Sequence, residues 1–309
     1  MRLSEAAKGV FIISVTPFDE DGGLDLTSAA RLVDFYIDRG VDGITILGMM
    51  GEAAKLTPQE STDFAAFVVK RVDGRLPVVV GVSGVGLDNL ARLTASVMDD
   101  GAAGVMVAPP PGLATDEKIR AYYAALCEAL GPDVPLVYQD YPQATGVHLS
   151  VPTFNRLVDD HPQIVMLKHE DCPGLGKISE VRESAERDGR RRVSILVGNG
   201  GLYLPQELAR GADGAMTGFA YPEMLVEVYR LFAAGETERA EDLFDTYLPL
   251  VRHEQQPGFG LALRKEVLRR RGIIANARTR KPGPSLSARD QAELDHLMAR
   301  LQRRLPDGP

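Results

Sequence analysis

The chain has 309 residues, 44% of them hydrophobic and 25% charged, with a formal net charge of -8. That length suits one large α/β barrel or two ordinary domains, and it buries enough surface to fold without disulfide or metal staples. The acidic balance argues against nucleic acid and anionic membranes as partners, but a small carboxylate substrate needs only local donors.

The two cysteines, Cys127 and Cys172, stand far apart with no His or Cys at ligand spacing, so reduced thiols and no metal are expected. No N-terminal stretch combines a basic start, an apolar run and a small-residue cleavage site. No apolar run approaches the roughly 18 residues of a membrane helix. A cytoplasmic protein with neither membrane nor nucleic-acid partners is expected.

In chain order, short β-branched runs alternate with amphipathic segments. Strands are predicted at Val10–Val15, Gly43–Leu47, Pro77–Val82, Gly104–Ala108, Pro135–Gln139, Ile164–His169, Val193–Val197 and Gly214–Thr217. Each is a continuous apolar run, the pattern of a strand covered on both faces in a parallel sheet. Leu26–Arg39 carries apolar residues at helical spacing and stops at Gly40. Thr57 reads as the cap of the next helix, with Pro58 at its first position and Glu60 three residues on. Three Gly-containing turns, beginning at Gly40, Gly101 and Gly211, end a helix just before a strand. Eight such units favour an α/β fold of the closed (β/α)₈ TIM-barrel type over an open doubly wound sheet. Gly198-Asn-Gly-Gly201 lacks the spacing of a dinucleotide loop, and no cofactor is expected. Beyond Phe219 only helices are predicted: Met224–Ala233, which closes the barrel, then Thr237–Glu254, Phe259–Arg271 and Ala288–Leu305. The expected organisation is a catalytic barrel over 1–236 and a three-helix C-terminal extension of the same domain over 237–309. The basic cluster Arg278–Lys281 in the intervening loop reads as solvated surface.

In this architecture chemistry sits at the C-terminal ends of the strands. The polar residues there are Thr16, Glu52, Gln139, Asp140, Lys168, His169, Glu170, Asn199 and Thr217. Lys168 stands out because it ends the apolar run Ile164–Leu167. Such a lysine either pairs with a carboxylate, Glu170 or Asp140, or gives up its proton and becomes a nucleophile toward a ketone. The pattern alone leaves both open.

Five segments in order resemble the dihydrodipicolinate synthase / N-acetylneuraminate lyase family of Schiff-base lyases. They are Val15-Thr-Pro-Phe18; Gly48-Met-Met-Gly-Glu52 followed by Leu56-Thr-Pro58; Pro142 with Thr145-Gly146; Lys168; and Gly198–Gly201. Within the family the chain is most similar to 2-keto-3-deoxy-L-arabonate dehydratases, through Gln139-Asp140 with Pro142, Gly214-Ala-Met-Thr-Gly218, Leu248–Val251 with His253-Glu254, and Gly272-Ile-Ile-Ala275. The resemblance implies Lys168 as the Schiff-base lysine, a small 2-oxo acid as partner, a homotetramer, and carboxylate-binding N–H groups near Met50 and Met216. Met49, Met50, Gly51, Glu52, Asn199, Met216 and Thr217 are its substrate-binding candidates. It also implies departures. The family's strand-5 tyrosine, three residues before the proline, falls on Gln139, which orients a water or hydroxyl but takes no proton. Tyr138 falls on the opposite face of that strand. The turn after strand 2 holds Met49 and Met50 where the synthases usually carry threonines. Dehydration of a 2-keto-3-deoxy sugar acid to an oxo-acid semialdehyde is therefore expected. Pyruvate-forming aldol cleavage, deamination of a cyclic hydroxy-imino acid and a non-catalytic oxo-acid-binding role stand as alternatives.

Overall fold

The computed structural model describes residues 1–305. The last four residues of the expected extension, 306–309, lie outside the described residues. Strands β1 (Gly9–Ile13), β2 (Gly43–Ile46), β3 (Val78–Gly81), β4 (Gly104–Val107), β5 (Leu136–Asp140), β6 (Ile164–His169), β7 (Ser194–Val197) and β8 (Gly214–Thr217) are all parallel and close into a barrel, β8 pairing with β1. Every bound falls within two residues of the sequence expectation.

Helices α1 (Leu26–Asp38), α2 (Pro58–Val72), α3 (Leu87–Asp99), α4 (Asp116–Leu130), α5 (Pro142–Thr145), α6 (Val151–Asp160), α7 (Leu175–Arg187), α8 (Leu204–Ala209) and α9 (Pro222–Ala233) follow the strands. The capping box at α2 is present as expected: the Thr57 hydroxyl accepts the Glu60 N–H and the Glu60 carboxylate accepts the Thr57 N–H. The C-terminal helices are α10 (Thr237–Glu254), α11 (Gly260–Arg270) and α12 (Ala288–Arg304); α10 packs on α8 and α9, and α11 and α12 pack on α10.

Alternation along the strands divides the core in two. Phe11, Ile13, Val79, Met106, Val137, Met166, Leu196 and Met216 fill the barrel interior, with Leu3 of the N-terminal segment in the same cluster. The intervening residues, such as Ile12, Ile46, Val80, Val107, Leu167 and Val197, meet the helices in the outer layer. Tyr138 belongs to that outer layer, stacked on Tyr123 of α4 at a centroid separation of 4.5 Å.

The basic cluster departs from its expected role as solvated surface. Arg280 forms an ion pair with Glu60 and donates to the carbonyls of Gly22 and Lys55, each at 3.0 Å. Its guanidinium, helped by the Thr57 N–H, pulls the Glu60 carboxyl down to about 2. The long connection between α11 and α12 is thereby tied across the start of α2. Arg278 and Lys281 do stay exposed.

Among the described residues, one buried carboxyl lies outside every ion pair. Glu207 of α8 is 7% exposed, its Oε2 has no partner among the described residues, and burial raises its pKa to about 8. Between about 4.5 and 8 the unfolded chain has released this proton while the folded chain keeps it, so folding stability falls as pH rises and levels off above 8. Glu207→Gln removes that slope. Urea unfolding at pH 5 and pH 9 should show the variant gaining on the parent at the higher pH only, by a difference on the order of 5 kcal/mol at most. An equal difference at both pH values would refute the assignment.

Candidate active site

Strands β5 and β6 bring the central residues together. Their register pairs Gln139 with Lys168. Both side chains share the inward parity of Val137 and Met166, while Asp140 and His169 turn outward. Glu170 follows directly on β6. The Lys168 Nζ donates to Glu170 Oε2 at 2.5 Å, and the Gln139 Nε2 donates to the same oxygen at 2.7 Å. Gln139 is 3% exposed, Lys168 4% and Glu170 8%, so the ion pair is taken out of water. Of the two readings the sequence left open, the carboxylate partner is present, and it is Glu170.

The backbone holds Glu170 from both sides. Its N–H donates to the Asp140 carbonyl at 2.8 Å, and its carbonyl accepts from Asn199 Nδ2 at 3.1 Å. Residue 198 has to be glycine, because a Cβ there would collide with the Glu170 side chain. Behind the strands, Asp140 accepts from Lys177 at 2.7 Å and lies 3.5 Å from His169 Nδ1, while His169 Nε2 sits 3.0 Å from the Gly174 carbonyl. His169 and Asp140 thus brace the outer face, as the alternation predicts.

The turn after β2 forms a short 3₁₀ helix, Met49–Gly51. In such a turn the first N–H groups, those of Met49 and Met50, have no acceptor within the helix. Met49 and Met50 line a cavity of about 200 Å³ at the barrel mouth, together with Gln139, Lys168, Glu170, Asn199 and Thr217. Two other candidates from this turn do not line it. The Gly51 carbonyl accepts the Thr16 hydroxyl at 2.6 Å, which ties the turn to the end of β1. Glu52 points away into the C-terminal helices. It pairs with Lys265 at 2.6 Å and Lys55 at 2.9 Å, and accepts the Arg280 N–H at 2.9 Å. Its carboxylate is spent on bracing, so a substrate contact for it is corrected. Lys265 lies over the Phe18 ring, and burial lowers its pKa to about 8 against the opposing pull of Glu52.

At β7 and β8, Asn199–Gly201 forms a second 3₁₀ turn whose Gly200 N–H donates to the Thr217 hydroxyl at 2.7 Å. Met216 requires a further correction. It is wholly buried in the barrel interior and does not line the cavity, because it points inward below the mouth, where Gly218, the next residue of the same parity, stands instead.

Three lining residues with polar side chains, Tyr141, Gln255 and Arg264, are not among the sequence candidates. Tyr141, directly before Pro142, carries a phenol whose pKa is raised first by burial and then by the Glu170 charge, so it stays protonated at neutral pH. Its signal, an aromatic next to the strand-5 proline, lies two residues beyond Gln139, where the family's tyrosine falls. Gln255 and Arg264 come from the C-terminal helical region. Arg264 is 2% exposed, forms an ion pair with Glu254 through Nε, and its Nη1 has no partner among the described residues. Glu254 also accepts the Ala220 N–H at 3.3 Å. No local signal marks Arg264, since Arg-Lys-Glu within a helix reads as a solvated face.

Comparison with known proteins bears on the family and the fold. The model of the dihydrodipicolinate synthetase family matches residues 6–301. An L-2-keto-3-deoxyarabonate dehydratase of Azospirillum brasilense is 32% identical over 298 residues, covering 95% of this chain and 94% of the relative. A 4-hydroxy-tetrahydrodipicolinate synthase of Persephonella marina is 33% identical over 246 residues, covering 79% and 81%. A crystal structure described as dihydrodipicolinate synthase from Rhodopseudomonas palustris superposes with a TM-score of 0.95 at 48% identity, over 97% of this chain and 99% of that one. The chain belongs to the dihydrodipicolinate synthetase family.

Proposed function

We propose that the chain is a lyase that binds a small 2-oxo acid as a Schiff base on Lys168 and dehydrates a 2-keto-3-deoxy sugar acid to an oxo-acid semialdehyde. The observation that carries the reading is the buried Lys168–Glu170 contact at 2.5 Å, at the rim of a cavity sized for a small acid. A proton passed from the ammonium to Glu170 leaves a free amine, the form that adds to the C2 ketone. Loss of water gives an iminium, which acidifies C3.

Glu170 then serves as the base. Once it has given its proton to the departing water of iminium formation, its carboxylate takes the C3 proton and hands it to the C4 hydroxyl, which leaves as a second water. Isomerisation of the conjugated iminium and its hydrolysis return the amine and release the semialdehyde. Gln139 keeps the carboxylate oriented and stays out of proton transfer. The N–H groups of Met49 and Met50 hold the substrate carboxylate, and Asn199 and Thr217 face the chain hydroxyls. The dehydratase of Azospirillum brasilense, similar along nearly the whole length, supports this substrate class.

One observation favours a second reading. A phenol at the active-site mouth can accept the proton of a C4 hydroxyl once ionised, and Tyr141 puts one there. That suits cleavage of a 4-hydroxy-2-oxo acid to pyruvate and an aldehyde by the same iminium.

Borohydride reduction in the presence of pyruvate should leave one reduced-pyruvate adduct per chain, mapped to Lys168. Lys168→Ala and Lys168→Arg should lose adduct and turnover while keeping the parent's circular dichroism. Full turnover in either variant ends the Schiff-base reading. Glu170→Gln should still be trapped but lose about 10²–10⁴-fold in kcat, the usual worth of a positioned base. A loss below tenfold would assign the base elsewhere. Given a 2-keto-3-deoxypentonate, the parent should form semialdehyde; pyruvate as main product would establish cleavage instead.

A further inference from the structure

Arg264 has a place in the cavity that the mechanism above leaves unused. Its side chain, 2% exposed, lines the same cavity as Lys168, Thr217 and Gly218. One face of the guanidinium is occupied, with Nε donating to Glu254, which also takes the Ala220 N–H. Nη1 is buried and has no acceptor among the described residues. Buried guanidinium donors are ordinarily satisfied, so an idle one at a cavity wall is costly unless a ligand or water completes it.

Gly218 makes room for that N–H. A Cβ at 218 would collide with Arg264 Nη1, so the absent side chain leaves the guanidinium lying directly against the end of β8. The charge, by contrast, is already spoken for. Glu254 neutralises it at contact distance inside a buried environment, so what Nη1 offers is one directed donor and little net field. A second carboxylate entering here would be desolvated beside Glu254 without a cation of its own, an arrangement that costs more than it returns. A hydroxyl or aldehyde oxygen meets the donor without that penalty.

We infer that Arg264 is a specificity-determining residue whose Nη1 receives an uncharged oxygen, a hydroxyl or aldehyde, at the end of the substrate far from the oxo-acid head. This rests on the proposed reading for the location of the head at Lys168, and it narrows the substrate class to monocarboxylic 2-oxo acids with an oxygenated tail. A site built to bond a hydroxyl rejects the analogue that lacks it far more strongly than an apolar pocket rejects a methylene.

The test compares two substrates, 2-keto-3-deoxypentonate and 4-hydroxy-2-oxopentanoate, which lacks the terminal hydroxyl. It adds calorimetric titration of two inert acids, 5-hydroxypentanoate and pentanoate, and of glutarate. The parent should prefer the hydroxylated substrate by roughly 100-fold or more in kcat/KM, bind 5-hydroxypentanoate at least tenfold tighter than pentanoate, and gain nothing from glutarate's second carboxylate. In Arg264→Lys, and in Gly218→Ala, which displaces the guanidinium without removing its charge, the preference should collapse through a rise in KM for the hydroxylated acid alone. Equal losses for both substrates would make Arg264 purely structural and overturn the inference, as would tighter binding of glutarate. The titrations need no covalent step, so failure of borohydride trapping sinks the Schiff-base reading while the inert acids still decide this one.

Discussion

Everything at the mouth of this barrel is arranged around one expensive contact, the burial of the Lys168 ammonium against the Glu170 carboxylate. Removing two charges from water costs several kcal/mol per ion, and mutual attraction recovers that only when the remaining hydrogen-bonding capacity is filled. Here Gln139 donates to the same carboxylate oxygen, the Glu170 backbone is held by Asp140 and Asn199, and Gly198 leaves room for the side chain. A pair so tightly placed has the geometry that the proposed proton transfer requires. On the proposed reading, the contact that holds the resting site together also prepares the amine for attack.

The C-terminal helices complete the mouth. Arg264 and Lys265 are neighbours on α11, and successive residues of a helix diverge by about 100°. That divergence sends Lys265 to Glu52 under the β2 turn and Arg264 to Glu254 and the end of β8. Two buried ion pairs from consecutive residues thereby fix the two stretches of the rim that flank β1. The turn that presents Met49 and Met50 is positioned by Lys265, Lys55 and Arg280 through one carboxylate, that of Glu52. The helices are therefore a wall of the site as well as a cover for the barrel.

Much of this was legible in the chain. A strand covered on both faces must be apolar throughout, which exposed all eight strands and made a lysine at the end of the sixth conspicuous. Parity along β5 and β6 assigned Gln139 and Lys168 inward, and Tyr138 and His169 outward. Glu52 misled because a carboxylate at a strand end looks the same whether it faces substrate or a brace; two of its three partners, Lys265 and Arg280, lie more than two hundred residues away in sequence. Met216 misled by one position, since the strand carries it just below the rim.

The sequence by itself determined the barrel, the strand order and the lysine, because those follow from hydrophobic periodicity and local turn chemistry, which act between residues close in the chain. Only the tertiary structure decided which carboxylate meets Lys168, that Glu52 is a brace, and that Tyr141, Gln255 and Arg264 reach the cavity. Those outcomes depend on which distant helix faces pack together and on where buried charges find partners, and no short-range pattern records either.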